Sequence, residues 1–175
     1  FDGTVLDRLT SGGFTAEQLY STASYRNRHL RFSSLRGNDL AGWDFSDINL
    51  VAVDFRDTKL EGTDFSNATI RNARFSGADG FTETQLQSTK SFVDKELVAV
   101  DFSGLDLSGW DFTAQSMQGA DLRATLVGAQ LVQADLTAAN LAAAELANAN
   151  FAQSTLTGAI LRRTTGRGFT AEQFY

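Results

Sequence analysis

Large apolar residues return at every fifth position along much of the chain. A period of five matches neither the 3.6-residue period of a helix nor the two-residue period of a strand. One side of the chain is therefore buried throughout only if the backbone turns at every repeat. The pattern predicts a coiled path. The first uninterrupted run of these residues is Leu30, Leu35, Leu40, Phe45, Leu50, Phe55, Leu60, Phe65, Ile70 and Phe75.

Two positions of each five-residue repeat are predicted to face inward. One is the large apolar residue at the centre, and the other is the smaller residue two positions before it, such as Val53, Thr63 or Ala68. The residue just before the centre is often Asp or Asn, which suits an outward site beside a turn. The central residues assigned to the structural core are Leu40, Phe45, Phe55, Phe65, Phe75, Phe102, Phe112, Leu122, Leu136, Leu146 and Phe151.

The repeat resembles that of the pentapeptide-repeat family. The family pattern, A(D/N)LXX, is legible in GADLR, QADLT, AANLA and NANFA, and related repeats cover most of the chain, with one shortened repeat near Leu126. The resemblance implies an all-β solenoid over residues 1–175, a right-handed quadrilateral β-helix with four pentapeptides per coil. A solenoid is a scaffold, so the fold by itself says little about function.

Short helices are predicted to interrupt the repeats. The segment GFTAEQLYSTASY returns as GFTETQLQSTKSF and as GFTAEQFY, and GWDF follows the first two copies at the same offset. These copies define super-repeats of about 14–80 and 81–168. Helical inserts are expected at about 15–24, 82–91 and 170–175, and a count of four repeats per coil stacks them along one edge.

Each insert begins with residues at capping-box spacing, in which a Thr and a Gln three positions later satisfy each other's backbone N–H groups. The predicted caps are Thr15 with Gln18, Thr82 with Gln85, and Thr170 with Gln173.

Both tryptophans occupy positions that otherwise hold small residues. An indole would overfill a narrow interior unless the inserted helix widens the neighbouring coil. We therefore expect Trp43 and Trp110 to pack against the helices that begin at Thr15 and Thr82. An exposed aromatic platform for a carbohydrate is the alternative.

Composition narrows the possible functions. The chain of 175 residues has no proline and no cysteine, and its formal net charge is −6. The absence of proline suits a continuous hydrogen-bond ladder, and the absence of cysteine excludes thiol chemistry. Because His29 is the single histidine, the sequence lacks the residues for His-based acid–base catalysis and for a multi-His metal site. No catalytic, cofactor-binding or metal-binding residue is predicted. The charge opposes nucleic-acid binding, and no apolar segment is long enough for membrane insertion.

Charged residues keep several interpretations open. Rows of outward Asp one coil apart, such as Asp44 with Asp64, would lie roughly 4.8 Å from each other. They could cap turns, bind calcium or serve acid–base chemistry on sugars. The basic run RNRHLRFSSLR at 26–36 is either a solvated face or a pocket for an acidic polymer.

The chain is therefore predicted to be a non-enzymatic structural, adhesive or interaction scaffold. The FTAEQLYSTASY and GWDF super-repeats are similar to arrays in exported bacterial proteins. This similarity implies a segment of a longer surface or filament-forming protein that is extracellular, while a cytoplasmic location stays open. The expected partner is a protein, with head-to-tail stacking of the chain on itself as one form. The alternative is a decoy, since some members of the family carry an acidic stripe that mimics DNA and binds gyrase.

Overall fold

Isolated parallel β-bridges connect successive coils in the computed structural model, which describes residues 2–174 except the side chains of Ala171 and Phe174. Most bridged residues are 20 apart in sequence, as in Asp44 with Asp64. Twenty residues are four five-residue repeats, so each coil of this β-helix contains four repeats.

The chain divides into two compact units, Phe1–Asp94 and Lys95–Tyr175. The single solenoid domain over residues 1–175 stays a prediction. The boundary falls just after the second helical insert, which interrupts the succession of repeats.

One repeat of the second unit is a residue short. Asp101 is bridged to Asp121 across 20 residues, whereas Asp106 is bridged to Thr125 across 19. A tighter turn makes up the difference, because the N–H of Ala124 donates to the carbonyl of Leu122 at 2.8 Å. The ladder of bridges therefore continues past the shortened repeat.

Four-residue turns separate the repeats. The N–H of Trp43 donates to the carbonyl of Leu40 at 3.0 Å, which closes one such turn. Its third residue, Gly42, has a φ of 71°, and Ala52 holds the same position of another turn with a φ of 59°. Glycine adopts this left-handed conformation freely, whereas a residue with a Cβ is strained there.

The central residues fill the interior. All of the predicted core residues are at most 1% exposed. Phenylalanine rings one coil apart stack, with 6.0 Å between the ring centroids of Phe45 and Phe65 and 5.4 Å between those of Phe55 and Phe75. Rings two repeats apart meet edge-on, as Phe55 and Phe65 do at 5.6 Å. Burial of each such side chain contributes about 1.5–3 kcal/mol.

Short helices lie between the repeats. The α-helices are α1 (Ala16–Tyr20), α2 (Ala23–Arg26), α3 (Glu83–Ser88) and α4 (Lys90–Val93), and the 3₁₀ helices are Leu9–Gly12, Thr165–Arg167 and Ala171–Phe174. Within residues 2–174, every helix falls short of the length and apolarity that a membrane crossing demands.

The first two inserts each contain two helices where the sequence predicts one. Thr22, which separates α1 from α2, has an extended backbone with a ψ of 149°. Its hydroxyl donates to the carbonyl of Leu19 at 2.7 Å and accepts the N–H of Tyr25. Thr89 has the same role between α3 and α4. Such local side-chain bonds compete with continuous helix.

The insert predicted at about 170–175 also differs from expectation. It contains the 3₁₀ helix Ala171–Phe174 in place of an α-helix, and Tyr175 lies outside the described residues.

Candidate functional site

Capping boxes begin the first two inserts. The N–H of Thr15 donates to Oε1 of Gln18 at 2.9 Å, and the N–H of Gln18 donates to the Thr15 hydroxyl at 3.4 Å. Thr82 and Gln85 make the same two bonds at 2.8 and 3.3 Å. In the third insert, the N–H of Thr170 donates to Oε1 of Gln173 at 2.6 Å.

Gln85 also fastens its insert to the preceding coil. Its Nε2 donates to the carbonyls of Leu60 and Thr63 at 2.7 and 2.9 Å. Gln173 makes the equivalent pair of bonds to Leu146 and Ala149. Sequence reasoning identified these residues as caps and missed this second role. The available signal was the amide itself, because a capping box accepts Glu as well as Gln and Glu cannot donate.

Replacing Gln85 with Glu is expected to lower the free energy of unfolding by about 2 kcal/mol. The carboxylate keeps the acceptor for Thr82 but faces two carbonyls without a proton to donate. Urea denaturation measures the loss. The matched control is Gln18→Glu, because Gln18 makes the same capping box and its side chain is exposed. Equal losses at the two positions would contradict the second role.

Two tyrosines of the first insert bind the backbone of one residue in the next coil. The Tyr25 hydroxyl donates to the carbonyl of Asp44 at 2.8 Å, and the N–H of Asp44 donates to the Tyr20 hydroxyl at 2.5 Å. In an uninterrupted coil, backbone groups of the neighbouring coil make these hydrogen bonds. For example, the N–H of Asp64 donates to the carbonyl of Trp43 at 2.9 Å. The hydroxyls therefore replace the strand that the insert displaces.

Because these tyrosines are partly buried, their contribution to the stability of the fold depends on pH. Burial raises the pKa of Tyr25 to about 12, with a contribution from the charge of Asp44, and it also raises the pKa of Tyr20. An unfolded tyrosine has a pKa of about 10. The neutral hydroxyl thus stabilises the fold fully below about pH 10, and this contribution disappears as the pH rises towards 12.

We expect the free energy of unfolding to fall between about pH 10 and pH 12. Urea titrations at stepped pH measure the slope. Tyr25→Phe should make the slope shallower, and Phe92 at the same position of the second insert shows that the ring alone fits an insert. An unchanged slope in this variant would assign the effect to other groups.

Trp43 lies between the first insert and the core. It is 9% exposed, and its ring centroid is 6.1 Å from that of Phe14 and 6.4 Å from those of Tyr20 and Phe45. It does not present an exposed platform. Trp110 is half-buried, with its ring centroid 6.1 Å from that of Phe112, and its packing against a helix stays a prediction.

Outward carboxylates cap the turns of the wall. Oδ1 of Asp44 accepts the N–H of Ser46 at 2.7 Å, and Oδ1 of Asp64 accepts the N–H of Ser66 at 2.8 Å. Hydrogen bonds from Ser66 hold the pKa of Asp64 below its usual value. Turn capping therefore accounts for the placement of these rows. The same bond is made by Asp39, Asn49, Asp54, Asp101, Asp106, Asp111, Asp121, Asp135, Asn140 and Asn150.

Several cations of the basic run 26–36 are paired locally. Arg28 lies 2.8 Å from Asp47, Arg31 lies 2.9 Å from Asp2, and Arg36 lies 2.8 Å from Asp57. The single histidine, His29, is exposed. Most of the run is thus neutralised within its own coil or by an adjacent one.

Arg26 differs from the other cations of this run. It is exposed in the last turn of α2, and no carboxylate in residues 2–174 pairs with it. It borders a cleft of about 250 Å³ between the first insert and the next coil, which we call the insert cleft. The residues that line the insert cleft are Tyr20, Tyr25, Arg26, Arg28, Asp44, Ser46 and Ile48.

Comparison with known proteins agrees with the repeat pattern. Residues 48–79 and 124–163 match the sequence model described as pentapeptide repeats, in eight copies. No curated protein matches the chain.

Solved pentapeptide-repeat structures are similar to parts of the chain. Rfr23 from the cyanobacterium Cyanothece 51142 is 21% identical over 84% of this chain and 95% of its own, with a TM-score of 0.40. HetL from Nostoc sp. strain PCC 7120, which is involved in heterocyst differentiation regulation, is 27% identical over 78% of this chain and 79% of its own, with a TM-score of 0.31. Full-length QnrB1, a plasmid-mediated fluoroquinolone resistance protein, is 18% identical over 97% of this chain and 87% of its own, with a TM-score of 0.43.

Proposed function

We propose that this chain, a pentapeptide-repeat protein whose repeats imply a right-handed β-helix, is a structural and adhesive scaffold of a bacterial cell surface. It acts without catalysis, as a segment of a longer surface or filament-forming protein. The short inserts supply the surface that varies between super-repeats.

The use of the outward carboxylates carries this proposal. In repeat after repeat the Asp or Asn before the centre binds the N–H of its own turn, as Asp101 does with Ser103 at 2.9 Å. Side chains that are held in this way stabilise the wall and make it rigid. A wall that satisfies its own polar groups suits a structural scaffold better than a reactive site.

The same carboxylates argue against the DNA-mimicking alternative. A mimic of duplex DNA needs carboxylates that stay free to attract a DNA-binding surface. Asp54 is instead paired with Arg56 at 2.6 Å, Asp121 with Arg123 at 2.7 Å, and Lys59 lies 3.1 Å from Asp39 in the adjacent coil. The acidic rows are therefore interrupted by cations.

Protease treatment of intact source cells tests the surface location. Peptides from residues 1–175 are expected in the supernatant before lysis, together with those of a known surface protein. A cytoplasmic enzyme serves as the control and should release no peptides. If the peptides of the chain are released only after lysis, the surface location is wrong.

A supercoiling assay tests the alternative. The purified chain is expected to leave DNA supercoiling by gyrase unchanged at concentrations where an established inhibitor acts. Inhibition that competes with DNA would favour the decoy over the scaffold.

Light scattering across a range of protein concentrations addresses head-to-tail stacking, which predicts an increase in mean mass with concentration.

A further inference from the structure

The first two inserts share the residues that their fold requires and differ in the residues that correspond to the lining of the insert cleft. Residues 67 positions apart correspond, so Leu19 matches Leu86, and both side chains are fully buried. The capping boxes and the Thr between the two helices are also common to both. The cleft residues change, since Gln87, Phe92 and Val93 stand in the second insert where the first has Tyr20, Tyr25 and Arg26. Folding of an insert therefore does not require the chemistry of the cleft.

The walls of the insert cleft are held in place before any ligand binds. The rings of Tyr20 and Tyr25 lie 4.5 Å apart, and the Tyr20 ring meets the edge of Trp43 at 6.4 Å. Both hydroxyls are bound to the backbone of Asp44, and Arg28 is paired with Asp47. A preformed site loses little conformational entropy on binding.

The cleft combines three kinds of contact. The tyrosine rings provide apolar surface, and the guanidinium of Arg26 provides an exposed cation that can bind a carboxylate in two parallel hydrogen bonds. The Asp44 carboxylate and the Ser46 hydroxyl provide acceptors, because a carboxylate that already accepts one hydrogen bond can accept more. A matching ligand has a ring with apolar faces, hydroxyl donors and one carboxylate.

We propose that the insert cleft binds a carboxylated sugar unit of an anionic polysaccharide. The sugar ring lies against the tyrosines, its carboxylate binds Arg26, and its hydroxyls donate to Asp44 and Ser46. The volume of about 250 Å³ suits a single ring, because pockets for drug-sized ligands are roughly 300–1,000 Å³. The inference rests on the proposed scaffold function and deepens it by naming the class of ligand.

An acidic peptide fits the cleft less well. Its carboxylate side chains would bind Arg26 but would also meet the carboxylate of Asp44, and they have no hydroxyl to donate. Like charges at short range disfavour binding, whereas a sugar acid offers donors to the same group. The mixed charge of the cleft therefore favours the sugar.

Calorimetric titration with trigalacturonate tests the proposal, with neutral trigalactose and triglutamate as comparison ligands. Trigalacturonate is expected to bind, and Arg26→Val is expected to weaken its binding by about tenfold or more, since a charged hydrogen-bonded pair is removed. Val93 at the matched position shows that valine is compatible with the insert, and unfolding curves check that the variant folds. Val93→Arg is the control on the second insert and should change binding by less than about twofold.

Three outcomes would overturn the inference. They are the absence of trigalacturonate binding at millimolar concentration, equal or tighter binding of a comparison ligand, and equal affinity of Arg26→Val. Tighter binding of triglutamate would assign the cleft to an acidic peptide. Protease treatment of intact cells does not depend on the cleft, so failure of the titration leaves the scaffold proposal standing. If the surface location is wrong, the ligand binding measured by titration still holds.

Discussion

Replacing Phe65 with Ala is expected to lower the free energy of unfolding by about 3–5 kcal/mol. The side chain is 1% exposed, and its ring contacts Phe45, Phe55 and Phe75 at centroid distances of 6.0, 5.6 and 6.1 Å. Truncation removes buried surface and leaves a cavity that the stacked coils above and below cannot close without breaking their backbone bridges. Urea denaturation with an unchanged m-value measures the effect.

The control for Phe65 is an aromatic residue outside the interior. Phe32 is 61% exposed and has a φ of 60°, in a turn beside Arg31. Phe32→Ala is expected to change the free energy of unfolding by less than about 0.5 kcal/mol, because little surface is buried there. Similar losses in the two variants would show that the inward and outward positions of the repeat are assigned wrongly.

Replacing Gly80 with Ala is expected to cost about 2–4 kcal/mol, the second-largest effect, because left-handed strain and a steric clash act together. Gly80 has a φ of 72° at the start of the second insert. A methyl group on its Cα would lie 2.8 Å from the backbone nitrogen of Glu61 and 3.0 Å from the Cα of Glu61. Backbone atoms cannot rotate away, so either the insert or the coil must shift.

Gly62→Ala separates the two contributions. Gly62 has a φ of 66°, and nothing lies within 4 Å of the methyl group that alanine would add. This variant therefore carries the left-handed strain alone, about 1–2 kcal/mol. Thermal unfolding of both variants gives the difference. If Gly80→Ala is no less stable than Gly62→Ala, the close approach of the insert to Glu61 does not exist in solution.

The five-residue period was sufficient to predict the coil and the residues at its centre. Residues such as Phe45 and Phe65 are equivalent because each lies at the same position of its own repeat, and a repeating backbone gives equivalent positions the same surroundings. The capping boxes were also predictable, because Thr15 and Gln18 satisfy each other's backbone groups within one turn of helix. The turn-capping role of Asp44 is equally local, since its partner Ser46 is two residues away.

The contacts between the inserts and the coils became visible only in the tertiary structure. The sequence does not show that Gln85 reaches the carbonyl of Leu60, or that Tyr20 and Tyr25 replace a strand at Asp44, because these partners lie 19–25 residues apart. The period of five counts repeats, but it does not specify how far an insert of different geometry displaces the neighbouring backbone. That displacement determines which backbone groups lose their partners and which side chains replace them. The same displacement opens the insert cleft beside Arg26. The shape of this cleft depends on how the insert packs against the coil, which no local sequence pattern specifies.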